Sequence, residues 1–457
     1  MEIAGKKALV VGLGKTGEAL AGFLLARGAR VTVTESRPEE SLGRKAALWK
    51  EKGVCLEAGG HKLETFLAAE FIVPSPGAAA LPQLAAAKQA GVQVIAEIDL
   101  ARRFLKGKVV GITGTNGKST TATLAHKILK EAGLKSRLAG NIGTPLIAFA
   151  AASRDDHIHV TEISSFQLEH VESFHAEVAA FLNISINHLD WHGSFESYFS
   201  AKKKLLQGQR AGDTLILNRD DRLLRPLAPE SEAQAVFFSR RAAVRRGCYL
   251  RDGWLTLRDG ENVRLMKAAE VPLPGLHNLE NVMAAALVGR FFGVSPGRIR
   301  ASIRKFHGLE HRLEKVLTLN GVTFVNDSKA TTVDATIKAL ESFDRKIVLI
   351  LGGRDKGADF SLLRRPVRKQ VKAVIIIGEA GPKIARALLG AAPIEETSTL
   401  RGAVTLAFSA AGPGDIVLLA PACTSFDMFR DFENRGRAFK REVRRLKDVV
   451  EGGSSRR

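Results

Sequence analysis

The segment Val109-Val-Gly-Ile-Thr-Gly-Thr-Asn-Gly-Lys-Ser-Thr120 carries the densest chemistry in the chain. An apolar run enters a Gly-rich turn, and Lys118, Ser119 and Thr120 open the helix predicted to follow. Glycines let backbone N–H groups close around phosphate oxygens, and a helix N-terminus adds positive potential. A lysine brings a mobile charge to the β- and γ-phosphates, and a hydroxyl can ligate Mg²⁺. The strict P-loop spacing requires Gly at position 112, where this chain has Ile. Gly111, Gly114 and Gly117 surround that gap, so the pattern is a variant phosphate loop. Gly114, Thr115, Asn116, Gly117, Lys118, Ser119 and Thr120 are the predicted ATP contacts.

Other polar residues leave predicted strands in the same way. Glu162 ends the run His159-Val-Thr-Glu-Ile163, where a carboxylate opposite a phosphate loop is a candidate Mg²⁺ ligand or a cap for the next helix. His188 follows Asn183-Ile-Ser-Ile-Asn187; a lone histidine there is more often structural than a ligand. Tyr198 opens a helix carrying Lys202, Lys203 and Lys204, which by composition read as a solvated basic face. Near the N-terminus, Gly12-Leu-Gly-Lys-Thr-Gly17 lies between two predicted strands, and Glu35 closes the second. Read literally this binds NAD with its ribose on Glu35, but the glycines serve any pyrophosphate. Three further polar loops, Asn326-Asp-Ser-Lys-Ala-Thr331, Gly352-Gly-Arg-Asp-Lys-Gly357 and Pro421-Ala-Cys-Thr-Ser425, argue for a second substrate site.

Positioning these residues takes an α/β chain of three domains, at roughly 150 residues each. Strand and helix alternate through 1–98, predicted to be a Rossmann-like domain. Residues 99–298 form a central P-loop ATPase-like domain on a mostly parallel sheet. Within it, Asp252-Gly253 and Asp259-Gly260 bracket Trp254–Leu257 as a small antiparallel insertion. Residues 299–457 alternate again, as a C-terminal Rossmann-like domain. No apolar run approaches the ~20 residues that span a bilayer. The first residues read as a strand rather than a signal peptide, so a cytoplasmic location is expected. Cys55, Cys248 and Cys423 lack metal or disulfide spacing. The net charge of +20 permits polyanionic partners, yet only 6% of residues are aromatic, which leaves few stacking platforms for nucleic acid. No nucleic-acid partner is expected.

Thr113–Ser119, Glu162, His188, the Tyr198-to-Lys202 spacing, His277-Asn-Leu-Glu-Asn281, His311-Arg312 and Asn326-Asp-Ser-Lys329 together resemble the Mur ligases and folylpolyglutamate synthases. The resemblance runs along essentially the whole chain. Ile163-Ser-Ser-Phe-Gln-Leu-Glu169 and Pro421–Phe432 are similar to the D-glutamate-adding branch; another amide ligase of the superfamily is the alternative. The resemblance implies ATP, Mg²⁺ at two sites and a carbamylated lysine as cofactors. It implies UDP-N-acetylmuramoyl-L-alanine and D-glutamate as the other partners, and a monomer is expected. Position by position, it implies Lys118, His188 and Lys202 as catalytic, with Lys202 the carbamylated residue. Ser119, Glu162, His188 and Lys202 would surround the metal, and Asn278, Asn281, Arg312 and Asp327 the nucleotide. Lys15, Thr16, Ser36, Arg37, Asn141, Ser164, Gln167 and His188 would hold the UDP substrate, which displaces the NAD reading of Glu35. Lys329, Thr331, Lys356, Ser425 and Phe432 would enclose D-glutamate.

Overall fold

From Ala8 to Val11 every residue of the first strand is buried, which suits a strand covered on both faces. In the computed structural model it is the centre of a five-stranded parallel sheet. The order across that sheet is Cys55–Ala58, Arg30–Glu35, Lys7–Val11, Phe71–Pro74, Gln93–Val94. The structure describes residues 1–78, 81–355 and 357–454. It divides into two compact units: Met1–Val271 with Leu276–Phe306, and Pro272–Gly275 with His307–Arg457.

The first unit holds the N-terminal sheet and a nine-stranded one. Across the latter the order is Glu261–Lys267, Trp254–Asp259, Arg246–Arg251, Gln234–Ser239, Thr214–Asn218, Val178–Phe181, Lys108–Thr113, His157–Glu162, Lys135–Gly140. Only the three strands at the Glu261 edge pair antiparallel to one another, so the insertion expected around Trp254 is present. Its first turn is Asp252-Gly253, both with positive φ, the two-residue geometry that matches strand twist. Helix Lys118–Glu131 rises from the middle of this sheet. It stops where Gly133 takes φ +84° and the Gly133 and Leu134 amides bond the Lys130 and Leu129 carbonyls. Helix Glu97–Phe104, which follows the N-terminal sheet in the chain, is bonded to segments beside the nine-stranded sheet: the Ile147 amide donates to Glu97 and the Glu172 amide to Asp99.

In the second unit the order is Glu314–Leu319, Val322–Asn326, Ile416–Leu419, Ile347–Gly352, Val371–Ile377, Ile394–Glu396, parallel except for the first pair. Alternate strand residues feed two cores. Leu349, Leu351 and Val374 pack with Val367, whereas Val348, Ile350 and Ile375 pack with Phe439 and Val443 on the other face. Among the described residues no helix is long and apolar enough to cross a membrane.

Candidate active site

The phosphate loop leaves strand Lys108–Thr113 at its carboxyl end, with parallel strands Val178–Phe181 and His157–Glu162 on either side. Chain connections diverge there, and such switch points open the crevice where α/β sheets bind ligands. Neighbouring segments fix the loop backbone. The Thr115 amide donates to the Asn183 carbonyl (3.0 Å) and the Asn116 amide to Asn183 Oδ1 (2.8 Å). Thr115 Oγ1 lies 3.0 Å from the buried Tyr198 hydroxyl. Gly117 turns into the helix at φ +82°, and a Cβ there would lie 2.1 Å from Asn281 Oδ1. Asn281 in turn accepts from Thr121 Oγ1 (3.3 Å) and donates to Asn278 Oδ1 (3.0 Å). Asn278 and Asn281 therefore brace the loop from behind. Gly117→Ala meets both a backbone and a steric obstacle, so it is expected to lower ATP turnover by about a hundredfold or more. Unchanged turnover in that variant, with ATP binding followed alongside, would remove the loop from the site.

Two lysine amino groups converge on one carbonyl. Lys118 Nζ donates to Gly114 O (2.9 Å) and Thr115 O (2.9 Å), and Lys202 Nζ donates to Gly114 O (3.0 Å) and Thr113 Oγ1 (3.3 Å). Lys202 is 1% exposed, which corrects the reading of Lys202–Lys204 as one solvated basic face. Lys203 turns away to Glu230 and Lys204 to the Glu169 carbonyl. Burial, then the neighbouring Lys118 charge, pushes the Lys202 amine well below the usual lysine range, with Glu162 opposing. Glu162 is itself buried. Its Oε1 accepts from Asn141 Nδ2 (2.9 Å), and its Oε2 has no hydrogen-bond partner among the described residues. That orphaned carboxylate oxygen, close enough to Lys202 to act on its charge, fits a cation ligand. Among the described residues no group of three or more His, Cys, Asp or Glu could hold a metal alone. Mg²⁺ needs no such cage, because one or two carboxylates plus substrate phosphates suffice. His188 stands at φ +52° with its ring 4.8 Å from Phe166 and 6.3 Å from Tyr198, part of an aromatic group with Trp191 and His192.

The N-terminal loop is built for close approach. A Cβ on Gly17 would lie 1.8 Å from the Gly12 carbonyl oxygen, so only glycine lets the helix start there. The literal ribose role of Glu35 does not survive. Its carboxylate already accepts from the Leu13 amide (2.8 Å), the Arg37 amide and guanidinium, and Ser36 Oγ. Burial pushes that carboxyl up, but the Arg37 and Leu13 donors override it and bring it down to about 2. Lys15 is exposed and Thr16 half-buried at the start of helix Lys15–Ala26. Ser164 and Gln167 bond each other as a capping box for the short helix Ser165–Leu168.

In the second unit one side chain ties together the three polar strand ends. Arg435 is 1% exposed on helix Phe432–Ser454. Its guanidinium donates to Ser328 Oγ (2.9 Å) and to the carbonyls of Ser328 (3.0 Å), Cys423 (3.1 Å), Thr424 (3.3 Å) and Gly352 (3.4 Å). Lys329 Nζ sits 5.8 Å over the Phe432 ring, Ser425 is buried, and Thr331 is half-buried. Lys356 lies outside the described residues. Arg312 and Lys329 both act on buried Asp327, whose Oδ1 accepts from the Leu313 amide (3.2 Å). Burial nevertheless pushes the Asp327 carboxyl up to about 6 from 3.8. A carboxyl raised in the folded state binds its proton more tightly there than in the unfolded chain. Its stability contribution is therefore lost as pH rises through that window. Asp327→Asn is expected to stabilise the fold by roughly 2–3 kcal/mol at pH 7, and to give no gain near pH 4. Thermal melts at both pH values check this; equal melting at pH 7 would refute it.

Three family models match in chain order: a Mur ligase MurD-like N-terminal domain over residues 6–96, a Mur ligase middle domain over 112–289, and a Mur ligase glutamate ligase domain over 311–423. The chain belongs to the Mur ligase family. This Mur ligase is 48% identical to the UDP-N-acetylmuramoylalanine–D-glutamate ligase of Acidobacterium capsulatum over 444 residues, 96% of each chain. It is 46% identical to the enzyme of that name from Koribacter versatilis, covering 98% of this chain and 99% of the relative. Among solved structures, the UDP-N-acetylmuramate–alanine ligase of Thermotoga maritima superposes with a TM-score of 0.59 at 17% identity, over 97% of this chain and 100% of that one. The pseudomurein peptide ligase type C of Methanothermus fervidus gives 0.56 at 19%, with the same coverage. These structural likenesses show the shared fold, and the expected three-domain α/β class is the one found.

Sequence reasoning missed the residues of this Mur ligase that act through others. Asn183 and the Tyr198 hydroxyl hold the loop, in part through Thr115, itself an expected ATP contact, and Arg435 holds the second unit's strand ends. For Asn183 the signal was available, as a polar residue directly after an apolar strand. For Arg435 there was none, because it is one of several arginines on a highly charged helix.

Proposed function

We propose that this Mur ligase joins D-glutamate to UDP-N-acetylmuramoyl-L-alanine at the expense of ATP, a step of peptidoglycan precursor synthesis, as a cytoplasmic monomer. Identity of 48% and 46% along essentially the full length to ligases of that name supports the substrate pair. The observation that carries the chemistry is the pair of lysines on Gly114 O beside the unmatched Glu162 oxygen, a site shaped for polyphosphate and a cation. Residues 1–98 would bind the UDP substrate, 99–298 ATP, and 299–457 D-glutamate.

In the reaction a carboxylate oxygen of the L-alanyl substrate forms a bond to the γ-phosphorus and ADP leaves. The D-glutamate amine then attacks the acyl phosphate, and inorganic phosphate departs with the amine proton released. Two anions meet in the first step, so neutralising and orienting charge is the protein's main task. Lys118 swings from the loop carbonyls to the phosphates, and the Gly114–Thr120 amides orient them. Mg²⁺, held by Ser119 and Glu162, with a second ion near His188 and the Lys202 carbamate, would neutralise phosphate charge. Lys329, Thr331, Lys356, Ser425 and Phe432 seat D-glutamate, while Arg312 and Asp327 flank the nucleotide. Lys15, Thr16, Ser36, Arg37, Asn141, Ser164 and Gln167 would hold the UDP-sugar side. The test is phosphate release with ATP, Mg²⁺ and UDP-N-acetylmuramoyl-L-alanine, adding D-glutamate, L-glutamate, L-alanine or diaminopimelate in turn. Release that depends on D-glutamate is the expected result; dependence on another amino acid would overturn the assignment of the last domain.

A further inference from the structure

The surface of the second unit carries a basic face that the proposed reaction does not use. From Ser361 to Gln370 the chain reads Ser-Leu-Leu-Arg-Arg-Pro-Val-Arg-Lys-Gln, without a carboxylate. Arg364, Arg365, Arg368 and Lys369 are all exposed, and with Ser361 they line one open hollow of about 380 Å³. Neighbouring cations are neutralised, Lys372 by Asp415 and Lys383 by Asp355, whereas these four enter no ion pair among the described residues. The face is rigid. Leu363 and Val367 beneath it are fully buried, and Gln370 Nε2 donates to the Leu340 (2.8 Å) and Phe343 (2.6 Å) carbonyls. Two leucines border the charge: Leu362, 60% exposed, and Leu389, 70% exposed. Leu389 follows two residues after Ala387, whose carbonyl accepts from Arg364 at 3.3 Å.

We propose that this face docks on an anionic lipid bilayer surface, with the four cations on lipid phosphates and Leu362 and Leu389 in the interfacial layer. Clustered Lys and Arg are drawn to an anionic leaflet, and a single weak signal rarely holds a protein there, so an apolar second contact matters. Nucleic acid would satisfy the cations but would reward neither leucine, and the hollow has no aromatic side chain on which bases could stack. The exposed leucines decide for the bilayer.

Flotation of the full chain with phosphatidylcholine vesicles, with and without phosphatidylglycerol, tests this. Binding only to the phosphatidylglycerol vesicles is expected. Each cation contributes roughly fivefold, so a variant with all four of Arg364, Arg365, Arg368 and Lys369 changed to Ser is expected to lose several hundredfold. Changing Leu362 and Leu389 to Ser is expected to weaken vesicle binding by about tenfold. The control changes Arg437, Arg441, Arg444 and Arg445 to Ser on helix Phe432–Ser454. That removes the same formal charge from the opposite sheet face, and near-parental binding is expected. An equal loss in the control would reduce the effect to net charge. An unaffected leucine variant with duplex DNA competing for the same face would make the partner nucleic acid. No binding by the parent would end the proposal.

Discussion

Lys202→Ala is expected to cut turnover about a thousandfold, with formate or acetate restoring part of it, because the role proposed for this side chain is that of a buried carboxylate. The environment argues against an ordinary catalytic ammonium. Lys202 is buried at the phosphate loop, shares the Gly114 carbonyl with Lys118, and has its amine pushed well below the usual lysine range by burial and by that neighbouring charge. An unprotonated amine is the form that adds to CO2, forming an N–C bond and releasing a proton. The resulting carbamate would carry negative charge near Lys118 and Glu162, whose orphaned oxygen suits a cation shared with it. Lys203 and Lys204 have other partners, so Lys203→Ala and Lys204→Ala are expected to keep near-parental rates. Because carbamate formation needs the free amine, parental activity should fall as pH drops, while the formate-rescued variant should keep a flatter profile. Parental activity in Lys202→Ala, or an inactive Lys203→Ala that formate rescues, would move the carbamate elsewhere.

The contrast between Lys118 and Lys202 shows where sequence reading reached and where it stopped. The phosphate loop is local: its glycines, lysine and hydroxyls lie within a dozen residues, and the flanking strand and helix are themselves readable by pattern. Lys202 sits in a run of three lysines whose composition says only that the helix is basic. Its burial depends on Thr113 and Gly114, nearly ninety residues earlier. Parallel core strands such as Ile347–Gly352 were legible as continuous apolar runs. Arg246–Arg251 and Glu261–Lys267 were not, because strands with charged ends resemble loops, and the second of them is also an edge strand. Ser164-Ser-Phe-Gln167 was read for family resemblance and substrate contact, although its spacing is that of the capping box the structure contains. Glu35 was legible as the acid closing a strand, but not as one already matched by Arg37 two residues away.

Arg435 makes the opposite case, a residue with no sequence signal and a large expected effect. Its three guanidinium nitrogens reach Ser328, Gly352, Cys423 and Thr424, so a single planar fork sets the spacing of the loops that carry Lys329 and Ser425. Burial brings the guanidinium down to about 10, still charged at neutral pH, and neutral carbonyls rather than a salt bridge hold it. Arg435→Met removes the donors while leaving buried acceptors behind, at about 1–3 kcal/mol for each left unmatched. The Ser328 and Cys423 carbonyls are the most dependent, so a loss of roughly 3 kcal/mol in unfolding free energy is expected. Arg435→Lys keeps a charge but concentrates its donors on one atom, which cannot span the same loops. That variant is expected to fold, to hold the KM for ATP within about threefold, and to raise the KM for D-glutamate by tenfold or more, the cost of losing about 1.4 kcal/mol of positioning. A uniform fall in kcat with both KM values unchanged would make Arg435 a stabilising residue alone. A selective rise for the amino acid would show that the fork sets the geometry of the site it braces.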